Sequence, residues 1–200
     1  MRKFKQREIA ALLIAVTVTS IVGYAALSVA SSRKAPIHPK PVAHDISKLE
    51  YRLPDGVTAL NETYQDWRVS CQKLEAGPRC ALVQQLADEK SHQKILTLQF
   101  EPEKDKIASL VVMPFGLALS KGISINADGA QVVSVPFSTC MPNGCLVPFS
   151  LTRDQFFSLQ AAKKLEVRAS TPKDQNVILV VSSKGLKEAS ARLAAMLAGS

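Results

Sequence analysis

Residues 132–150 read Val-Val-Ser-Val-Pro-Phe-Ser-Thr-Cys-Met-Pro-Asn-Gly-Cys-Leu-Val-Pro-Phe-Ser and set two strand-like runs on either side of a cysteine-bracketed turn. Val133, Val135 and Phe137 alternate with Val132, Ser134 and Pro136, the two-residue period of a strand with one buried face. Leu146, Val147 and Phe149 resume an apolar run after Pro142-Asn143-Gly144, a tripeptide that favours tight reversal. Cys140 and Cys145 flank that tip. The stretch demands β structure with short connections, and the rest of the chain is organised around it.

The flanking segments carry similar punctuation. Asp66–Cys71 alternates large apolar with polar side chains, and Cys80–Gln85 follows a Gly77-Pro78 break, which predicts a hairpin with Cys71 near Cys80. Trp67, the only tryptophan, is expected to anchor the core, because an aromatic ring on a strand carries a large apolar surface. Lys94–Phe100 and Ile107–Met113 read as two more strands about the charged turn Glu101–Lys106. A bend is expected at Pro114-Phe115-Gly116, then a short strand around Ile123 and Ile125 and a turn at Asp128-Gly129. Leu151–Ala162 has one apolar helical face, with Thr152 or Asp154 available as N-cap. Leu165, Val167 and Ala169 alternate with charges, and Asn176–Ser182 reads as a continuous apolar strand beyond the Thr171–Asp174 turn. After Gly185, the residues Leu186, Ala189, Leu193 and Met196 share one face of a closing helix. About eight short strands with one or two short helices predict an all-β fold, an antiparallel β-sandwich.

Two hundred residues at 46% apolar content suit one modest domain with appendages. Ile9–Ala30 is a 22-residue run without a charge, preceded by Arg2, Lys3, Lys5 and Arg7, and it is long enough to cross a bilayer. The positive cluster places the N-terminus in the cytoplasm and the remainder outside. Small residues in Ser28-Val29-Ala30 suit a signal peptidase, while the length of the run favours an uncleaved anchor. The chain is therefore divided into residues 1–30, a signal peptide or membrane anchor; 31–61, a linker with Pro36, Pro39, Pro41 and Pro54; and 62–200, the β-sandwich. The expected location is the periplasmic side of the inner membrane of a Gram-negative cell, held through residues 9–30, or the periplasm or cell surface after cleavage. His38 and His44 sit in the linker without fixed geometry or a third ligand, so no metal is expected there. From Ser31 onward 21 basic residues face 16 acidic ones, spread along the chain, and this argues against a nucleic-acid partner.

Four cysteines in an exported domain permit three connectivities. Their grouping predicts local disulfides, Cys71 with Cys80 and Cys140 with Cys145, closing loops of ten and six residues. Each would stabilise the fold by roughly 2–3 kcal/mol on the chain-entropy model. The intervals do not match zinc spacing, and Cys140 and Cys145 lack the Cys-x-x-Cys helix setting of a thioredoxin-like enzyme. His92 is the only histidine in the folded part and no Gly-x-Ser-x-Gly elbow accompanies it. Glu101 and Glu103 lie in a charged turn, where solvation is the expected role. No catalytic residue, cofactor-binding residue or metal ligand is assigned. The expectation is a protein that is not an enzyme and that binds an unknown protein partner. The alternatives are a periplasmic thiol/disulfide-handling enzyme using Cys140 and Cys145, or a housekeeping envelope module without host contact.

A set of spaced elements carries a resemblance: Trp67 with Cys71 and Cys80, Pro114-Phe115-Gly116-Leu117-Ala118-Leu119, Gly122-Ile123-Ser124-Ile125, Pro136–Cys140 with Gly144-Cys145, and Gly185-Leu186. Over roughly Thr63 to Ala198 the chain resembles the invasion-associated locus B (IalB) proteins. The resemblance implies an exported or surface-associated protein of a Gram-negative, mainly alphaproteobacterial, cell, with an immunoglobulin-like β-sandwich. It also implies a link to host-cell invasion, hence virulence, and no enzymatic activity.

Overall fold

The computed structural model describes residues 50–197. Ile9–Ala30, His38 and His44 lie outside the described residues. Among the described residues eleven strands, more than the eight or so that the turn spacing predicts, form the two antiparallel sheets expected of a β-sandwich. The larger sheet begins as a meander of β1 (Ala59–Tyr64), β2 (Trp67–Leu74), β3 (Gly77–Ala87), β4 (Lys94–Pro102) and β5 (Ile107–Met113), and continues through β9 (Gly144–Leu151) to the short strand β8 (Thr139–Met141). The smaller sheet has the order β11-β10-β6-β7. Its strands are β6 (Ile123–Ala127), β7 (Ala130–Val135), β10 (Leu165–Ser170) and β11 (Asn176–Val181).

The central cysteine stretch departs from the simple hairpin. Its first run is β7, at an edge of the smaller sheet, whereas β8 (Thr139–Met141) and β9 (Gly144–Leu151) pair within the larger one. Pro136-Phe137-Ser138 carries the chain between sheets, since Pro136 has no backbone N–H to extend a ladder. The hairpin proper is thus β8–β9 about Pro142-Asn143, with Cys140 opposite Cys145. The linker boundary also shifts: β1 starts at Ala59, ahead of residue 62, and Tyr51 is buried and bridges to Leu197.

Alternating side chains from both sheets make one core. Trp67, fully buried, stacks on Phe100 with ring centroids 5.6 Å apart, and Phe100 meets Phe156 edge-on at 5.1 Å. Phe156 arrives on α1 (Arg153–Ala161), whose Thr152 hydroxyl accepts from the Gln155 backbone N–H while the Gln155 side chain accepts from the Thr152 N–H. The second helix, α2 (Leu186–Ala195), turns Leu186, Ala189 and Leu193 inward. Gly185 before it has φ +87°, and a Cβ there would stand 1.8 Å from the Tyr64 carbonyl oxygen, so only glycine lets the chain pass.

Candidate functional site

Antiparallel sheets that do not close leave edges, and unpaired edges invite strand addition. Among the described residues four strands are edges: β1, β8, β7 and β11. Three carry a recognised safeguard. On β1, Glu62 faces α2 and is held by Arg192 at 2.7 and 2.9 Å, a charge turned away from the edge. The β7 ladder slips register between Ile125 and Asn126, and Gln155 Nε2 donates to the Val132 carbonyl at 3.1 Å. β8 has only three residues. By contrast β11 is six residues long, pairs with β10 in unbroken register, and contains no proline and no charge.

Asn176–Ser182 reads from the sequence as a continuous apolar strand, and the structure places β11 there with one face covered and the other open. Val177 and Leu179 pack against the core, but Ile178 and Val180 face outward and are 48% and 55% exposed. The strand is half-covered because no further layer lies on its outer face among the described residues.

The far end of β11 is clamped to the larger sheet. Gln84, nearly fully buried on β3, donates from Nε2 to the Asp66 and Ser182 carbonyls at 3.1 Å each and accepts the Ser182 N–H at 3.0 Å. Trp67 Nε1 donates to the same Ser182 carbonyl at 2.8 Å. Beside this clamp opens a cleft of about 480 Å³ bordered by Val180, Ser183, Lys163, Lys164, Lys184 and Asp66. Asp128 fixes its lysine wall, its carboxylate accepting the backbone N–H groups of Lys163 and Lys164 at 2.9–3.2 Å. Lys164 is partly neutralised, pairing with Glu166 at 2.6 Å, and Arg168 grips the same carboxylate at 2.5 Å. Lys164, then Arg168, hold the Glu166 carboxyl below the usual carboxylate range. Lys163 and Lys184 form no ion pair among the described residues. Sequence reasoning passed over these lysines, although Lys163-Lys164 and Lys184 flank the β10–β11 pair in the chain.

The residues singled out from sequence take other places. Cys71 pairs with Cys80, buried across β2–β3, and Cys140 pairs with Cys145 across β8–β9, with Cys140 exposed and Cys145 buried. His92 sits at the tip of the β3–β4 loop with φ +56°, beside the Asp88 turn. Glu101 receives Arg79 in a two-pronged pair at 2.8 and 2.6 Å, and Glu103 pairs with Lys106 at 3.5 Å, so the two carboxylates serve separate surface ion pairs. No group of three or more metal-ligating side chains occurs among the described residues. No helix of the described residues is long and apolar enough to cross a membrane.

Residues 67–194, from the start of β2 to the last turn of α2, match the family model described as Invasion associated locus B (IalB) protein. The chain belongs to the invasion-associated locus B family. IalB relatives include an invasion protein B homolog of Brucella abortus, 34% identical over 153 residues, which are 76% of this chain and 88% of that protein. Invasion protein B of Bartonella bacilliformis is 28% identical over 116 residues, 58% of this chain and 62% of its own. The crystal structure of invasion-associated protein B from Bartonella henselae superposes with a TM-score of 0.61 at 23% identity, covering 68% of this chain and 95% of that one. That likeness shows the IalB fold. The match takes in the β2–β3 hairpin, the Gly144-Cys145 turn and all of β11.

Proposed function

We propose that this IalB-family protein is an exported, envelope-held binding module that works without catalysis and engages a protein partner by strand addition at β11. The observation that carries the reading is the unguarded state of that edge beside three guarded ones. The charged side chains whose acidities are displaced support it, since each is matched within the fold: Glu62 to Arg192, Arg79 to Glu101, Asp88 to the Ser91 backbone and hydroxyl, Glu166 to Lys164 and Arg168. Export is supported by the uncharged run Ile9–Ala30 behind its basic cluster and by disulfide-paired cysteines, which persist in oxidising compartments. The invasion naming of its relatives makes a host-cell or envelope protein the natural partner class.

A photo-crosslinking residue placed at Ile178 in intact cells should form adducts with another protein, whereas one at Thr63 on the β1 edge should not. Equal yield at the two positions, or none at either, would overturn the reading. Intact mass of the chain from a membrane fraction tests export: full length without free thiols fits an anchored module, and a mass beginning near Ser31 fits release. A second reading has one observation in its favour. Cys140 is exposed at a hairpin end, open to attack by an external thiolate, as a thiol/disulfide-handling protein requires. Selective reduction of Cys140–Cys145 by mild reductant, ahead of Cys71–Cys80, would support it; equal resistance would sink it.

A further inference from the structure

We infer that the segment completing β11 is an extended, acidic stretch of a partner protein, with apolar side chains at alternate positions and carboxylates at the end that reaches the lysine cleft. The inference rests on the reading of β11 as the working edge and adds the occupant's chemistry. Strand addition uses main-chain hydrogen bonds for affinity and alternate side chains for selection. Ile178 and Val180, two residues apart on the outer face, supply the apolar half of that selection. Beyond Val181 the added strand would run into the cleft, where, among the described residues, Lys163 and Lys184 lack ion-pair partners and Asp66 is the one acidic residue on the wall. Charge there is complementary to carboxylates.

The same charges argue against a second copy as occupant. Antiparallel pairing of two β11 strands along their whole length, Asn176 against Val181, would bring the turn that carries Lys173 of each copy toward the turn that carries Lys184 of the other. Like charges brought together at both ends of a strand pair disfavour it. Asp174 could offset this only by leaving its ion pair with Lys121. The flanks of β11 therefore repel its own kind while leaving the strand open to an acidic one.

Two synthetic peptides of equal length test this on the full-length protein, both alternating valine and threonine, one ending in three glutamates and the other in three glutamines. The glutamate peptide should bind, slow amide exchange across Asn176–Val181, and lose about tenfold in affinity on the double substitution Lys163→Ala/Lys184→Ala. Raised salt should weaken it similarly. Equal binding of both peptides, unmoved by the lysine substitutions, would overturn the acidic preference while leaving β11 as the edge. Failure of both peptides to protect β11 would overturn the edge reading itself. A concentration-dependent dimer by sedimentation, abolished by Ile178→Lys, would replace the acidic partner with a second copy.

Discussion

At the scale of single residues the fold depends on a few positions where nothing else fits. Gly185 holds α2 against the β1–β2 turn, and Gly144, φ +129°, sits with its missing Cβ 2.5 Å from the Met113 carbonyl. Gly185→Ala would force a backbone shift as well as an unfavourable φ, so a loss of about 3 kcal/mol or more is expected, read as a drop in denaturant midpoint. Glu62 shows how a carboxylate couples the fold to pH. Its hydrogen bonds from Arg192 hold its pKa below the ordinary value of 4.5, and that of Glu166 is lowered similarly by Lys164 and Arg168. A group with depressed folded pKa stabilises above its unfolded value and loses that contribution as pH falls through the folded one. Thermal stability should therefore decline as pH drops below about 4.5, and Arg192→Met should flatten that decline; an unchanged pH profile in this variant would refute the assignment.

At the scale of elements, the strands announced themselves where one face is apolar and the other polar. Cys71 opposite Cys80, β4, β5 and the Thr152-capped helix were all legible, because period-two alternation and a capping residue are local signals. What stayed hidden was non-local. The exposure of Ile178 and Val180 is one such feature, since a strand's own residues do not say whether a second layer covers its outer face. β1 escaped notice because its buried-side contacts come from α2, more than a hundred residues away, as in the 130-residue separation of Glu62 and Arg192. The Gln84 clamp was invisible for the same reason: a glutamine on a strand reads as solvent-facing until Ser182 is placed beside it. Gln84→Leu keeps the volume but strands the Ser182 N–H, and a cost of about 1–3 kcal/mol is expected. Amide exchange should quicken first at Ser182 and the end of β11; a uniform change over the whole domain would show that the clamp is not local.

At the scale of the molecule, two sheets of unequal size share one core, and each helix closes a flank of it. The candidate site was legible only in part: the family resemblance was carried by glycines, prolines and cysteines that shape turns, whereas the open edge and its lysines emerged once the sheets were assembled. Cys71–Cys80 lies inside this assembly and Cys140 outside it, so Cys71→Ser/Cys80→Ser should cost more stability than Cys140→Ser/Cys145→Ser, by roughly 1–2 kcal/mol, because buried packing is lost as well as the crosslink. Equal losses would mean that the crosslinks act on the unfolded chain alone. The bridge between Tyr51 and Leu197 has a different implication. A domain in which Tyr51 and Leu197 touch can be rewired: joining the chain at those two positions through a short glycine-serine link and reopening it in the exposed turn at Asp105 should yield a circular permutant with the same sheets. By the same geometry the whole unit could be spliced into a surface loop of an unrelated protein, carrying its open strand along as a portable attachment point.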